Sequence, residues 1–363
     1  MQSIGGTIMT NSSMEVSRAA AAGLALAVNK DFYSADPYDG LSSPLAKLLN
    51  TKLTRQAWIQ LLKRSGERTR RLVGVKPVRM AKSLALFAMA AKELGDINLA
   101  NSLVDDLLHM GSGRPWGYEF DVQTRWAYYP QGTPNVVATT FAIRAIDSVG
   151  RTDEVSPAIG EWLRNLYDKR GYFYYTDTSD KLVHNGSLLA AESLGRLGLH
   201  EDLVQKAITK TISHQRPDGG WAYGDAPGLE WEDSFHTVYV IDSLTELGRR
   251  GFLVDEAPTR GLRHWKESFF TNSGEPKYFA EDTTSTREIH NNATVLGAIA
   301  DYGSEMGLSE LRPSVLRVLL STQDSNGAFR SSPRGPLFLR WNQGHAVLAL
   351  AKLAKRDAVA ESN

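Results

Sequence analysis

The chain has 363 residues, which is enough for one large domain with a sizeable hydrophobic core. Its 41 basic and 41 acidic residues cancel, so the net charge gives no general attraction to nucleic acid or to an anionic membrane. The sequence contains no cysteine, which excludes a disulfide scaffold, a thiolate metal site and a cysteine nucleophile. A cysteine-free chain fits a reducing compartment, and we expect a cytoplasmic protein that binds no nucleic acid.

The N-terminal part contains the small apolar run AAAAGLALAV at residues 19–28, which predicts a helix too short to cross a bilayer. Residues 1–17 before it and 357–363 at the other end are polar and are expected to fray. No Ser-, Gly- or Pro-rich stretch resembles a linker, so we predict a single domain over residues 1–363.

The next segment, FYSADPYDGLSSPL at residues 32–45, is a turn containing Pro and Gly that precedes a helix. Residues 53–65 carry an apolar stripe and predict a half-buried outer helix. From Lys63 to Lys82, eight basic residues accompany the single acid Glu67. A solvated face explains most of this run, but Lys82 lies near the predicted site and could meet a carboxylate or a phosphate.

An aromatic residue follows a Gly-containing turn five times, and a polar cluster and an apolar helical run come after each turn. These aromatic residues are Trp116, Tyr174, Trp221, Tyr278 and Phe329, with spacings of 58, 47, 57 and 51 residues. One residue near the start of each apolar run recurs with a similar period: Lys82, Asn135, Asn185, His236, Asn291 and His345. The sequence therefore contains six repeats.

Each repeat is predicted to be a helical hairpin. The runs after the turns are rich in Ala, Leu and Val on nearly all sides, which indicates buried inner helices. Residues 156–168, 201–215 and 308–323 carry the stripe of outer helices instead. No capping repeat with a polar outer face is evident, and an open solenoid would need one. We therefore predict an all-α protein with the (α/α)6 toroid fold.

The inner helices of such a barrel run in one direction, so their N-termini and polar clusters gather at one end. Half of the eight histidines, His184, His236, His290 and His345, lie at this shared position. Histidine is the side chain best suited to proton transfer near neutral pH; the alternative is that each one caps or packs at a helix start. Six converging helix N-termini favour an anionic or heavily hydroxylated ligand.

Aromatic and hydrogen-bonding residues alternate in WGYEFDVQTRWAYY at residues 116–129, as sugar binding requires; an aromatic mini-core under a lid is the alternative. Asp233 lies three residues before His236, close enough to orient it. The predicted catalytic residues are Asp39, Asp121, Asp233, His236 and His290. The predicted substrate-binding residues are Asp36, Tyr38, Lys82, Trp116, Gln123, Arg125, Asn135, His184, Asn185, Trp221, Tyr223, Lys277, Tyr278, Arg340, Trp341 and His345.

No HExxH sequence, P-loop or GxGxxG sequence occurs in the chain. A metal site would need histidines from separate repeats to converge, and the motifs that hold phosphate-bearing cofactors are absent. We therefore predict neither a metal ion nor a cofactor.

Residues Gln215–Trp221 and Gln323–Phe329 resemble the QxxxGxW motif of squalene and hopene cyclases. The resemblance implies the toroid fold of the terpenoid-cyclase and prenyltransferase-like proteins. It does not extend to the chemistry, because those cyclases protonate their substrate with a DxDD acid and this chain contains no DxDD sequence.

A resemblance over nearly the whole chain is to the toroid proteins of bacterial exopolysaccharide and capsule gene clusters. The matching stretches are ADPYDGL (35–41), WGYEFDVQTR (116–125), GTPN (132–135), HN (184–185), DSFHT (233–237), PKYF (276–279), IHN (289–291) and RWNQ (340–343). Val238 and Asn291 depart from the pattern, where that family has Gly and a small residue. The resemblance implies a role in polysaccharide biosynthesis, with a glycan or lipid-linked oligosaccharide and other polysaccharide-assembly proteins as partners.

Three hypotheses follow. The first is an enzyme that acts on an acidic oligo- or polysaccharide as an epimerase, lyase or hydrolase; Arg125 and Arg340 would bind carboxylates, and Trp116 and Trp221 would stack on sugar rings. The second is a cyclase of prenyl or terpenoid substrates that uses another acid, for which a deep, dry, aromatic cavity is expected. The third is a glycan-binding subunit without catalytic activity.

Overall fold

The computed structural model describes residues 11–124, 127–303, 307–331 and 335–362. Helices dominate it: α1 (Asn11–Asn29), α2 (Lys52–Arg64), α3 (Glu67–Leu72), α4 (Ala81–Glu93), α5 (Ile97–Gly111), α6 (Val136–Ser148), α7 (Pro157–Asn165), α8 (His184–Leu197), α9 (Glu201–Ser213), α10 (Ser234–Arg249), α11 (Ala257–Ser268), α12 (Ile289–Tyr302), α13 (Arg312–Leu320) and α14 (Gly344–Ser362). Two antiparallel hairpins are formed by the short strands β1 (Val122–Gln123) and β2 (Tyr128–Tyr129), and β3 (Tyr167–Asp168) and β4 (Tyr172–Phe173).

Six helices form a closed inner ring. In chain order α4, α6, α8, α10, α12 and α14 each pack on the next, and α14 packs on α4. Their Ala, Leu and Val side chains are buried on nearly all sides, which explains why these segments lack an amphipathic stripe. A close approach at the final contact needs Gly344, since a Cβ there would lie 3.0 Å from Leu86 Cβ. The predicted (α/α)6 toroid is confirmed.

The outer layer consists of α5, α7, α9, α11, α13 and α1, which pack on the outside of the inner helices. The prediction that residues 53–65 supply an outer helix was wrong. That segment forms α2, which lies outside both rings against β1 and the 3-10 helix Asp39–Ser42. The N-terminal helix α1 takes the outer position instead, packed on α14.

The repeated Gln–Gly–aromatic turn joins one outer helix to the next. The Gln215 amide donates to the carbonyls of Gly219 (2.8 Å) and Ala257 (3.0 Å), the second at the start of α11. The Gln323 amide likewise donates to Gly327 (3.3 Å) and to Ala19 of α1 (2.9 Å). The two copies therefore make equivalent bonds, and the second closes the outer ring across the chain termini.

The expectation that both ends fray is corrected where the structure describes them. Helix α14 continues to Ser362, and Asp357 accepts two hydrogen bonds of 2.6 Å from Arg312. Ser13 of α1 donates to Glu361 at 2.8 Å. These polar contacts hold the tail in place. Residues 1–10 and 363 lie outside the described residues.

A substitution at Gly261 tests the packing of the turn motif. A Cβ at this α11 position would lie 2.5 Å from Cζ3 of the buried Trp221 ring. Gly261→Ala is therefore expected to lower the free energy of unfolding by about 1–3 kcal/mol, the usual cost of overpacking a core, as measured by urea denaturation.

Gly297→Ala is the matched control. Gly297 is also helical, but the nearest atom to a Cβ there is 3.9 Å away. This variant should be neutral or up to about 1 kcal/mol more stable, because alanine favours the helix. Equal effects of the two substitutions would contradict the packing argument.

Candidate functional site in the mouth of the toroid

A cavity of about 870 Å³ opens where the inner helices begin. Each inner helix, or the residues just before it, contributes to the wall: Lys82 from α4, Val137 from α6, Asn185 from α8, His236 from α10, His290 from α12 and Arg340 before α14. The remaining wall comes from α2 and from the loops that precede the inner helices. Closure of the ring thus brings residues from all six repeats to one cavity.

Aromatic side chains with polar groups make up much of this wall. Seven tyrosines line it, Tyr38, Tyr118, Tyr129, Tyr175, Tyr223, Tyr239 and Tyr278, together with Phe235 and Trp341. The hydroxyls of Tyr118 and Tyr175 lie 3.3 Å apart. Gln56, Gln60, Gln123 and Asn185 add amide groups to the wall. The surface therefore offers both ring faces and many hydrogen-bonding atoms.

Asp233 and His236 form a hydrogen-bonded pair at the start of α10. Asp233 is buried and caps the helix by accepting from the His236 backbone N–H at 2.9 Å. Its second oxygen accepts from His236 Nδ1 at 2.8 Å. The His236 side chain is 23% exposed and lines the cavity. In neutral His236 this bond fixes the proton on Nδ1, so Nε2 keeps its lone pair for an incoming proton.

Tyr239 and His290 form a second pair deeper in the cavity. The Tyr239 hydroxyl and His290 Nε2 are joined by a hydrogen bond of 2.8 Å. His290 Nδ1 is buried without a hydrogen-bond partner among the described residues. Burial, with the positive charge of Lys82, lowers the pKa of His290 well below its usual value. The lowered pKa favours the neutral form of His290. The Phe235 ring packs against both His236 and His290 and so lies between the two pairs.

The Lys82 amine is buried on the inner side of the cavity. Its Nζ lies 4.3 Å from the centre of the Phe141 ring and 5.8 Å from that of Tyr239. In the part of the chain that the structure describes, it forms no ion pair with a carboxylate. Burial, reinforced by the charges of Arg340 and Arg144, lowers the pKa of Lys82 well below its usual value. An anionic ligand would restore its charge.

His345 lies behind His290, with their ring centroids 4.2 Å apart. Its Nε2 has no hydrogen-bond partner in the described parts of the chain, and burial lowers the pKa of His345 well below its usual value. The side chain does not line the cavity. It therefore supports His290 from behind rather than forming part of the surface that a ligand would contact.

Arg340 lines the cavity but is already paired. Its guanidinium donates to both oxygens of Asp36 at 2.6 and 2.8 Å, and both side chains are buried. Arg340 was predicted to bind a substrate carboxylate, but Asp36 already compensates its charge. Asp36 itself is fully buried and orients Arg340 instead of meeting a ligand.

Asp39 and Asp121 do not reach the cavity wall, which corrects their prediction as catalytic residues. Asp39 is buried, pairs with Arg70 and accepts from the Asp36 backbone N–H at 2.8 Å. Burial raises the pKa of Asp39 to about 6. Asp121 accepts from the Tyr128 hydroxyl (2.6 Å) and the Gln131 backbone N–H (2.7 Å). Both carboxylates therefore stabilise loops around the mouth.

Trp116 and Trp221 cannot stack on a sugar ring in this structure, which corrects their predicted role. Both indoles are buried, and they donate to the carbonyls of Leu107 (2.9 Å) and Thr211 (3.0 Å) in the preceding outer helices. They are core residues of the repeated turn. The aromatic rings that line the cavity are those of the seven tyrosines, Phe235 and Trp341.

Three further predicted residues lie away from the main cavity. His184 lines a small side pocket next to Asp233, and burial lowers its pKa to about 3. Asn135 caps α6 by accepting from the Ala138 N–H at 2.9 Å. Lys277 donates to the Ala280 carbonyl. Their predicted contacts with substrate are therefore not supported by position.

The predicted residues that do line the cavity are Tyr38, Lys82, Gln123, Asn185, Tyr223, His236, Tyr278, His290, Arg340 and Trp341. Arg125 lies outside the described residues. Within the described parts, no group of three or more Asp, Glu or His side chains could hold a metal ion. No described helix has the length and apolar content needed to span a membrane.

The sequence analysis missed Tyr239, Glu288 and Glu119. Tyr239 follows His236 by three residues, so the helical repeat places both on one face and could have identified it. Glu288 caps α12 by accepting from the Asn291 N–H (2.6 Å) and holds Trp341 through its indole N–H (2.8 Å). Glu119 accepts from the Ala81 N–H at 3.3 Å; its other oxygen is buried without a partner among the described residues.

Comparison with known proteins supports the fold. No protein-family model matches the chain, and no curated protein matches its sequence. The type II terpene cyclase MstE from Scytonema, in complex with geranylgeranyl dihydroxybenzoate, superposes with a TM-score of 0.59 at 14% identity over 95% of this chain and 98% of that chain.

Two carbohydrate-related structures are also similar. The cellobiose 2-epimerase of Bacillus thermoamylovorans gives a TM-score of 0.57 at 12% identity, over 76% of this chain and 86% of that chain. A possible GH105-family protein from Salmonella enterica gives 0.54 at 14% identity, over 76% and 82%. At these identities the likeness establishes the terpenoid-cyclase-like α/α toroid fold and nothing finer.

The buried carboxyl of Glu119 predicts a pH-dependent stability. Burial raises the pKa of Glu119 to about 7, above about 4.3 for an unfolded glutamate. The folded state then binds the extra proton, so this contribution to stability is present below about pH 4 and is lost as the pH rises through about 7. Glu119→Gln should therefore be more stable than the unmodified protein at about pH 8. The difference in stability between the two proteins should be much smaller at about pH 5, where the buried carboxyl is protonated.

Urea denaturation at several pH values measures this difference. Glu267→Gln is the control, because Glu267 is exposed on α11 and its substitution should change stability little at any pH. A Glu119→Gln effect that stays constant across the pH range would contradict the assignment of a neutral, buried carboxyl.

Proposed function

We propose that this protein is an enzyme that binds an acidic sugar residue of an oligo- or polysaccharide in the mouth of the toroid and changes it by proton transfer. The observation that carries the proposal is the Asp233–His236 pair at the wall of a cavity whose inner side holds Lys82, which has no carboxylate partner among the described residues. Removal of a proton from the carbon next to a substrate carboxylate requires a base and a nearby site that binds the carboxylate. His236, held by the buried Asp233, and Lys82 would supply these two parts.

The cavity wall supports a sugar ligand. Sugar rings present C–H faces that pack on aromatic rings and hydroxyls that need hydrogen-bonding partners. The seven tyrosines and the amides of Gln123 and Asn185 provide both kinds of surface. A volume of about 870 Å³ lies in the upper range of small-molecule sites and fits more than one sugar unit.

Lys82 supports an acidic ligand rather than a neutral one. The neighbouring cations are compensated, since Arg340 pairs with Asp36 and Arg144 donates to Glu192 at 2.7 Å. Lys82 has no such partner among the described residues. A substrate carboxylate bound there would form an ion pair with Lys82. The ammonium would then stabilise the additional negative charge that develops on this carboxylate when a proton leaves the adjacent carbon.

The two histidine pairs supply the proton transfers. His236 Nε2 would accept the proton from the carbon beside the carboxylate, and Asp233 would stabilise the imidazolium that forms. The Tyr239 hydroxyl, hydrogen-bonded to His290 Nε2, would deliver its proton to the reacting carbon or to the leaving oxygen, and exchange with solvent would then remove the proton from His236 and restore that of Tyr239. Delivery to the carbon gives epimerisation, and delivery to the leaving oxygen gives β-elimination. The cellobiose 2-epimerase and the possible GH105-family protein, which share the fold, support a carbohydrate reaction.

A cyclase acting on a prenyl chain is the second candidate, favoured by the nine aromatic residues in the wall and by the likeness to a type II terpene cyclase. The polar groups that converge with these rings favour the sugar. A polyprenyl substrate converted to a cyclised product, with no reaction on acidic oligosaccharides, would establish the cyclase instead.

His236→Ala is expected to lower turnover by about 10²–10⁴-fold, the usual contribution of a positioned general base, with a nearly unchanged melting temperature. The assay uses a panel of oligosaccharides containing hexuronic acids in D2O. Exchange of C–H for C–D is followed by NMR, and chain cleavage by mass spectrometry.

His109→Ala is the matched control, because His109 is exposed on the outer helix α5. It should retain full activity. Binding of the oligosaccharides without exchange or cleavage would favour a non-catalytic glycan-binding subunit, and full activity of His236→Ala would remove His236 from the mechanism.

Lys82→Met tests the recognition of the acid. Loss of the ammonium should weaken the binding of a hexuronate oligosaccharide by at least about tenfold, the value of a partly buried charged hydrogen bond, as measured by calorimetry. The same oligosaccharide with its carboxyl groups reduced to alcohols should bind the unmodified protein and Lys82→Met with equal affinity. An equal loss of affinity for the acidic and the reduced oligosaccharide would show that the variant disturbs the cavity and that Lys82 does not recognise the carboxylate.

A further inference from the structure

A segment outside both helical rings has an unusual surface. Residues 44–76, here called the Leu/Lys/Arg segment, contain the 3-10 helix Pro44–Leu48, α2 and α3. Three residues of α2, Gln56, Ile59 and Gln60, line the mouth cavity. The segment therefore borders the entrance through which a ligand must pass.

Large apolar side chains of this segment point into solvent. Leu45, Leu48, Leu53, Leu61 and Leu72 are 49, 77, 76, 60 and 87% exposed. Elsewhere in the described chain only Leu253 reaches 60% exposure among large apolar residues. Scattered exposed leucines are ordinary, whereas this concentration in one short segment marks an interaction surface.

Helix α2 shows that these leucines are not needed for its own packing. Its inward side is fixed by the buried Ile59 and Leu62 and by the Trp58 indole, which donates to the Gly40 carbonyl at 2.9 Å. Leu53 and Leu61 are eight residues apart and exposed, so they share the opposite face. Helix α2 therefore carries leucines on its exposed face as well as apolar residues on the face that packs against the rest of the protein.

The same segment is strongly basic, although the whole chain has no net charge. Its exposed cations are Lys47, Lys52, Arg64, Arg68, Arg71 and Lys76, and its only acid is Glu67. Within the described residues none of these six forms an ion pair. The net charge of zero, from which no general attraction to an anionic membrane was expected, averages over this local excess.

Buried contacts fix the segment to the toroid. Arg70 of α3 pairs with Asp39 and donates to the carbonyls of Leu62 (2.6 Å) and Asp36 (3.0 Å). Asp36 in turn holds Arg340 at the cavity wall. The exposed leucines and cations are therefore held in a constant position relative to the mouth.

We propose that the Leu/Lys/Arg segment docks the protein on an anionic lipid surface, with the mouth of the toroid beside the lipid headgroups. Leucines that enter the headgroup region and cations that meet acidic lipids are the two signals that together give stable interfacial binding. A lipid surface fits better than a protein partner because long exposed leucines and six exposed cations, against the single acid Glu67, lie in one segment. The proposal does not depend on the reaction that the cavity carries out.

Sedimentation of the full-length protein with vesicles tests the docking. It should bind vesicles of equimolar phosphatidylglycerol and phosphatidylcholine, bind pure phosphatidylcholine weakly, and be released by high salt. The double variants Leu48→Ser/Leu72→Ser and Arg68→Gln/Arg71→Gln should each weaken binding by about tenfold or more. Circular dichroism and the melting temperature should stay unchanged, because all four side chains are exposed.

Leu253→Ser is the matched control, since Leu253 is equally exposed but follows the C-terminal end of α10, away from the mouth. It should bind vesicles like the unmodified protein. Absence of vesicle binding would overturn the proposal. So would leucine variants that bind as well as the unmodified protein, because a purely ionic attraction would fit a soluble acidic polymer or an acidic protein instead.

Discussion

The packing of α14 against α4 is the contact on which the rest of this structure depends. It joins helices that lie at opposite ends of the sequence and turns a row of six hairpins into a ring. Gly344 permits the close approach, since a Cβ there would lie 3.0 Å from Leu86 Cβ. Without closure, the first turns of the inner helices would lie along an open surface, and the side chains that now share one cavity would be far apart.

The repeated turn explains why the ring closes with α1 in the outer layer. In each copy the glutamine side chain donates a hydrogen bond to a backbone carbonyl of the next outer helix. For Gln323 that helix is the N-terminal α1, where the acceptor is Ala19. The aromatic residue of the motif fills the space behind the turn. In this chain the QxxxGxW-like motif therefore has a structural role, the joining of consecutive hairpins.

Charge pairing divides the polar residues of the mouth into two groups. The ion pairs Arg70–Asp39 and Arg340–Asp36 neutralise these charges and hold the loops around the entrance. At the cavity, His290 Nδ1 and Asn185 Oδ1 are buried without a hydrogen-bond partner among the described residues, and Lys82 has no carboxylate partner there. Buried polar groups without partners are costly in a fold, and a ligand that supplied those partners would remove this cost, as the proposed function requires.

The sequence by itself determined the six repeats, the inner and outer helices and the end at which the polar clusters meet. These follow from helical periodicity, which is a local property. It also identified the Asp233–His236 pair, because three residues span one helical turn. Tertiary structure alone decided that α2 leaves the outer ring, that Trp116 and Trp221 are core residues, and that Asp36 neutralises Arg340. Those outcomes depend on partners up to 304 residues away, which no local pattern records.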